Sequence, residues 1–412
     1  MKVIAQIILF AFFISSCQTT GSIMNFGPKT SNEILESEKV ADHEEYSRPR
    51  IDVAIPIFDP GVPKNSKDED LWIELRKAES IRFAHKLKLE IEKIDKFGAV
   101  RVVPDSQATS DLYIVGKILE SNSEEVELDI KVADISGNVW IDDEFEHNVP
   151  DDYFTNSKNL QSGPGASDGD AYNPVFVKIA KAIEEKLKYI STDNLDNLSD
   201  LSDFRFGLNL SEESFADNIQ TNENGKYFIS NKLSNEDPKF VRLKNLRVRD
   251  QLFVDELQVH YTNFNENIED SYLTWQRQTH QEMQAASKAN TEAIGKALGG
   301  IALLGLAVLA AAAGADSGSL GGQSLGMMGA VGGGVAGASL LQDSFKKSEE
   351  AKVHRDAINE LGKSLDAEMS SKVVQLDEET VELKGSAKEQ FSQWREFLKR
   401  MYEKEKTPDT QL

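Results

Sequence analysis

Between Lys296 and Asp343 the chain carries one charge, Asp316. So long an uncharged run stands out in a chain with 69 acidic and 46 basic residues. It must lie in lipid, lie against other protein, or remain a small-residue loop. The run divides around "GADSGSLGGQS" into two apolar arms of 17 residues, 297–313 and 325–341. As a helix each arm would rise about 26 Å, just short of the roughly 30 Å hydrocarbon layer, and an outer membrane is thinner than average. Gly318, Gly322 and Gly326 are spaced four apart, and so are Gly329, Gly333 and Gly337. In water each such glycine costs a helix about 1 kcal/mol relative to alanine. In lipid the backbone must satisfy its own hydrogen bonds, and a strip of small residues lets a second helix approach closely. Three readings stay open: a membrane-inserted hairpin, a hairpin buried between proteins, and a flexible Gly/Ser-rich loop.

The flanks read as helices. Phe253, Leu257, Tyr261, Phe264, Ile268, Tyr272 and Trp275 repeat at spacings of four and three, a coiled-coil-like seam that meets no Pro or Gly before Ile294. A second charged helix is expected from about Asp343 to Met369. Residues 246–370 therefore read as a long helical hairpin with its tip at 297–341. Residues 371–412 read as a β-hairpin, "KVVQLDEETVELKG", and a helix. Ser386 followed three residues later by Glu389 forms a capping-box pattern at its start, and Phe391, Trp394, Leu398 and Met401 form its apolar face.

Residues 50–191 alternate strand and helix patterns. "IDVAIPIF" (51–58) is a strand candidate whose Pro56 pushes its end toward an edge or bulge. A helix is expected over 68–94, with Leu71, Leu75, Ala78, Ile81, Ala84, Leu87, Ile91 and Ile94 on one stripe. "AVRVVP" and "DLYIVGKIL" are two more strands. "EVELDIKV" places Val126, Leu128, Ile130 and Val132 on one face, and Ser136-Gly137 turns it into "NVWIDDEF". A helix after Pro174 buries Phe176, Ile179, Ile183, Leu187 and Ile190. The fold class is α+β: a small α/β domain with an antiparallel meander, then the long helical hairpin. Residues 192–245 read as an irregular, acidic, helix-poor connector with a short strand at "GKYFIS". The phrases "VAIPIFDP", "AVRVVPD", "SDLYIVGKIL" and "VADISGNVW" resemble the small periplasmic domain shared by the amino-terminal domain of TolB, the lipoprotein activators of penicillin-binding proteins and the curli secretion channel. The resemblance covers about a third of the chain and implies an envelope assembly or scaffold role.

The chain opens "MKVIAQIILFAFFISSCQTTG", with Lys2 before an apolar run, Val3 to Ile14, too short to span a bilayer. Ile14-Ser15-Ser16-Cys17 resembles the lipobox of bacterial lipoproteins. That implies cleavage after residue 16, lipid attachment at Cys17, and a flexible tether over 17–49. In that family Asp after the cysteine favours the inner membrane. Here it is Gln18, which implies the outer membrane, at its periplasmic face. The glycine spacing likewise resembles the glycine-zipper segments of small outer-membrane lipoproteins. Cys17 is the single cysteine, so disulfides play no part. A net charge of −23 argues against nucleic-acid binding and predicts repulsion from anionic headgroups, so attachment must be apolar or covalent.

No catalytic constellation is found. His43, His85, His147, His260, His280 and His354 lie in no zinc-binding spacing, and His85 and His280 read as solvated helix residues. "SGPGASDGDAYN" suggests a calcium loop through Asp168, Asp170 and Asn173 but lacks the spacing of an EF-hand, and an ordinary loop is preferred. No enzyme activity, metal or cofactor is expected. The expected role is an outer-membrane-anchored scaffold or oligomeric assembly component, whose partners are the membrane and further copies or envelope proteins. The alternative is a lipoprotein regulator of an envelope enzyme such as a peptidoglycan synthase.

Overall fold

Short β-branched runs build the sheet. The computed structural model describes residues 48–63, 72–155, 169–301, 349–364, 369–376 and 379–405. Strands β1 (Val53–Pro56), β2 (Val100–Val103), β3 (Leu112–Ser121), β4 (Glu125–Asp134) and β5 (Val139–Asn148) form one sheet in the order β2-β1-β3-β4-β5. β1 runs parallel to both neighbours, and β3, β4 and β5 pair antiparallel. Val126, Leu128, Ile130 and Val132 are buried, while the intervening β4 side chains face outward, as the period of two requires. Gly137 takes φ +92° at the β4–β5 turn. There the Asp134 carboxylate accepts from the Ser136 and Asn138 amides at 3.0 and 3.1 Å. Pro56 does not mark an edge. β1 lies inside the sheet, and its pairing with β3 stops at Ala54, so the missing N–H at Pro56 removes no ladder bond there.

Helix α1 (Ile73–Glu92) packs on this sheet. Leu75, Ala78, Ile81, Ala84, Leu87 and Ile91 of its expected stripe are buried, Ile94 lies past its end and is half-buried, and Leu71 lies outside the described residues; Arg76, Glu79, Arg82, His85 and Lys86 are buried too. Further helices cover its outer side. Helix α2 (Asn173–Leu187) buries Phe176, Ile179, Ile183 and Leu187 beside it, and the Phe83 and Phe176 rings sit 5.4 Å apart.

The segment expected to be helix-poor forms helix α3 (Thr192–Leu210). Ser191 caps it, its hydroxyl accepting from the Asn194 amide at 3.3 Å. Leu195, Leu198, Leu201 and Phe204 follow at three-residue spacing and are buried, which outweighs the Asp, Asn and Ser content of the other faces. A single turn, α4 (Glu212–Phe215), leads to a small antiparallel pair, β6 (Ile219–Thr221) and β7 (Tyr227–Ile229).

Helix α5 runs from Pro238 to Ile301, 64 residues, so it begins before residue 246. Asp237 starts it, accepting the Lys239 amide at 2.8 Å, and proline at the first helical position needs no N–H partner. Phe253, Leu257, Tyr261, Ile268, Tyr272 and Trp275 are buried along it, with Phe264 half-buried. Helix α6 (Glu349–Ser364) packs on α1 and α5: Trp72 Nε1 donates to Asn359 Oδ1 at 2.7 Å, and Ser271 Oγ lies 3.2 Å from His354 Nδ1. Strands β8 (Met369–Leu376) and β9 (Glu379–Gly385) pair antiparallel and lead into α7 (Ala387–Glu405). The Ser386–Glu389 box is formed: the Ser386 amide donates to Glu389 Oε2 at 2.8 Å, and the Glu389 amide returns to Ser386 Oγ at 3.4 Å. Trp394 of α7 stacks on Phe253 of α5 at 5.2 Å.

The chain is thus α+β, with a five-stranded mixed sheet and, among the described residues, seven helices. Residues 49–412 form one compact unit. Among the described residues no helix is long and apolar enough to cross a membrane.

Candidate functional site: a buried ionic joint and a half-open groove

The polar face of α1 meets α5 and the start of α2. Arg82 Nη2 donates to Asp170 Oδ2 at 2.6 Å, and Arg82 Nη1 pairs with Glu269. The guanidinium also lies 4.4 Å from the centre of the Tyr272 ring, a cation–π arrangement. Asp170 in turn accepts from Gln276 Nε2 at 2.9 Å and from the Tyr172 amide at 3.0 Å. Burial alone would raise the Asp170 carboxyl, but the Arg82 and Lys86 charges outweigh it and hold the group below its usual range.

One turn earlier on α1, Glu79 Oε1 accepts from Ser121 Oγ at 2.5 Å and from Tyr272 Oη at 2.9 Å. Burial pushes this carboxyl up to about 7, against the opposing pull of Arg76 and the two hydroxyls. The joint therefore links α1, the end of β3, the 169–172 segment and α5 through hydrogen bonds and ion pairs among largely buried side chains.

Two histidines correct the sequence reading. His85 and His280 are buried, not solvated. Burial, with Lys88, Lys86 and Arg82 nearby, lowers His85 to about 4. His280 Nδ1 lies 3.2 Å from the Ser123 carbonyl, so that nitrogen carries the proton, and its ring packs edge-on against Phe154. Asp170 serves the ion pair with Arg82, and Asp168 lies outside the described residues. Among the described residues no three His, Cys, Asp or Glu side chains gather as metal ligands.

α5 also closes the sheet. β2 is an edge strand, and the Gln258 carboxamide satisfies Val102 on both sides: Val102 N donates to Oε1 at 3.0 Å and Nε2 donates to Val102 O at 2.8 Å. Nearer the start of the helix, Arg247 pairs with Asp203 at 2.5 Å, and Asp250 pairs with Arg395 of α7 at 2.9 Å.

A half-open groove of about 600 Å³ lies between the β4–β5 turn, the end of α2, the first turns of α3, and β7. Trp140, Tyr227 and Phe228 line one side, and Lys186, Asn194 and Asn197 line another. Trp140 is held by its indole N–H, which donates to Asp134 Oδ2 at 3.0 Å. Arg205 lies 4.1 Å over the Tyr227 ring. Tyr189 stands at the rim, 83 % exposed, and Phe228 is 43 % exposed. The sequence reading did not find this groove, because its lining comes from four separated segments. The usable signal is the unusual exposure of two aromatics, visible only once the fold is built.

The residues singled out in the sequence for lipid attachment, Cys17, and for helix packing, Gly318, Gly322, Gly326, Gly329, Gly333 and Gly337, lie outside the described residues. The joint and the Gln258 contact on β2 define an α+β protein whose sheet and long helix share polar contacts. Comparison with known proteins returns no match, whether to a family model, a curated protein or a solved structure.

Proposed function

We propose that the protein is an outer-membrane lipoprotein, attached through Cys17 and facing the periplasm, that acts as a scaffold or oligomeric assembly component of the envelope. One observation carries the scaffold reading. α5 is 64 residues long, about 96 Å at 1.5 Å per residue, and the ionic joint ties it to the sheet-bearing body. A helix so attached is suited to hold other components at a fixed distance. It belongs to the helical hairpin read from the sequence, with the glycine-rich segment between its arms as the packing surface toward lipid or another copy. The likeness of the sheet phrases to the TolB amino-terminal domain supports the same role. The net charge of −23 fits an anchor that is covalent rather than electrostatic.

The test has two arms. Cys17→Ala is followed through processing and membrane fractionation. A variant that matures and fractionates like the parent removes the lipoprotein reading. Native mass spectrometry of the detergent-extracted full chain then reads copy number for the parent, Gly333→Leu and Ala330→Leu. Loss of oligomer with Gly333→Leu alone supports close helix packing at the glycine strip. A monomer throughout removes the assembly reading and favours the alternative, a regulator of an envelope enzyme.

A further inference from the structure

The groove beside Trp140 has an uneven chemistry that points to a ligand. Its volume, about 600 Å³, falls in the usual range of binding pockets. Its β5 and β7 residues Trp140, Tyr227 and Phe228 are aromatic, Ile190, Leu198 and Leu201 extend the apolar lining onto the helical segments, and Lys186, Asn194 and Asn197 add hydrogen-bond donors there.

The charges decide which ligand fits. Asp134 and Lys186 are the two charged residues of the lining. Asp134 is fully engaged: it accepts from the Ser136 amide, the Ser136 hydroxyl, the Asn138 amide and the Trp140 indole. It has no call on a ligand cation. Lys186 forms no ion pair among the described residues, in a chain whose net charge is −23. A cation left without a carboxylate beside an apolar wall selects an anion with an apolar body. Ammonium and carboxamide N–H groups are the donors that a carboxylate, an acceptor only, takes.

We propose that the groove binds the carboxyl-terminal end of a partner polypeptide whose last side chains are apolar. The terminal carboxylate would lie at Lys186, Asn194 and Asn197, and the side chains against Trp140 and Phe228. The half-open shape, with exposed Tyr189 at the rim, leaves a way out for the rest of a longer chain. This inference does not depend on membrane attachment or copy number, so its outcome is separate from that of the scaffold reading.

The experiment titrates the full chain with a labelled synthetic peptide, Gly-Ser-Gly-Val-Leu-Phe, prepared with a free carboxylate and as the terminal amide. The free acid is expected to bind about tenfold tighter than the amide, the usual size of a charge-assisted hydrogen bond. Lys186 is exposed, so Lys186→Met leaves the fold intact and should sharply reduce the difference between acid and amide, the remainder resting on Asn194 and Asn197. Phe228→Ala should weaken both forms alike. Equal binding of acid and amide, discrimination undiminished by Lys186→Met, or no binding of either peptide overturns the proposal. So does octanoate competing as well as the peptide, which would make a small carboxylate the ligand.

Discussion

Arg82 and Asp170 meet at 2.6 Å with their side chains 0 % and 1 % exposed. Removing one partner of such a pair strands the other in a medium that cannot solvate it. Arg82→Met is expected to cost about 3–5 kcal/mol in urea unfolding, softened to the extent that Lys86, 3.9 Å from Asp170, takes over. Adding Asp170→Asn keeps the hydrogen bonds to Tyr172 and Gln276 while deleting the stranded charge. The double variant should therefore be more stable than Arg82→Met alone. If it is less stable, the pair is not the source of the cost.

Glu79 and His85 predict a pH profile. Burial raises Glu79 from 4.5 to about 7, so its contribution to stability is full below 4.5 and is lost as pH rises through 7. His85, lowered from 6.5 to about 4, contributes above 6.5 and loses that contribution as pH falls through 4. Between 4.5 and 6.5 the two oppose each other and flatten the curve. Glu79→Gln should remove the decline on the alkaline side and leave the acid loss from His85 standing alone. Urea midpoints from pH 4 to 9 measure this. An unchanged slope between pH 6 and 8 would rule out Glu79 as its origin.

Gln258→Leu should open the β2 edge. It keeps helix propensity but leaves the Val102 N–H and C=O without their partners at 3.0 and 2.8 Å. A loss of about 1–3 kcal/mol is expected, together with faster hydrogen exchange at the Val102 amide. Exchange as slow as in the parent would mean that another group covers the edge.

Gly362→Ala tests how closely α6 approaches α1. A Cβ at Gly362 would stand 2.2 Å from the Glu74 carbonyl oxygen, a backbone atom that cannot step aside. Alanine should gain about 1 kcal/mol of helix propensity and lose about 1–3 kcal/mol to overpacking. The expected net is destabilisation, with a shifted resonance for the Trp72 indole N–H that bonds to Asn359. A more stable variant would place α6 farther from α1.

Elements whose apolar spacing is regular were legible before the structure. The stripe from Phe253 to Trp275 and the box at Ser386 and Glu389 needed only local rules, because the residues that define them lie three or four apart. α3 was not legible: its Leu195, Leu198, Leu201 and Phe204 share the segment with Asp, Asn and Ser, whose side chains favour turns when nothing covers the helix. His85, on the polar face of α1, misled for a related reason. Arg76, Glu79, Arg82 and Lys86 look solvated unless it is known that α5 supplies Glu269 and Tyr272 across the interface. The groove depends on four segments at once, and no local pattern encodes such a meeting.

The Gln258 clasp on β2 and the Gln276 bond to Asp170 also bear on how the chain acquires its shape. The stretch from 50 to 191 contains the whole sheet, yet one edge is closed and one internal charge satisfied by residues 156 and 106 positions farther on. Synthesised from its amino terminus, the chain cannot complete that sheet until α5 has emerged. In the interval β2 presents an unpaired rim, a template for pairing with a neighbouring chain. A fragment truncated at residue 191 should therefore aggregate instead of standing alone, and the long helix acts as an internal chaperone for the strands that precede it.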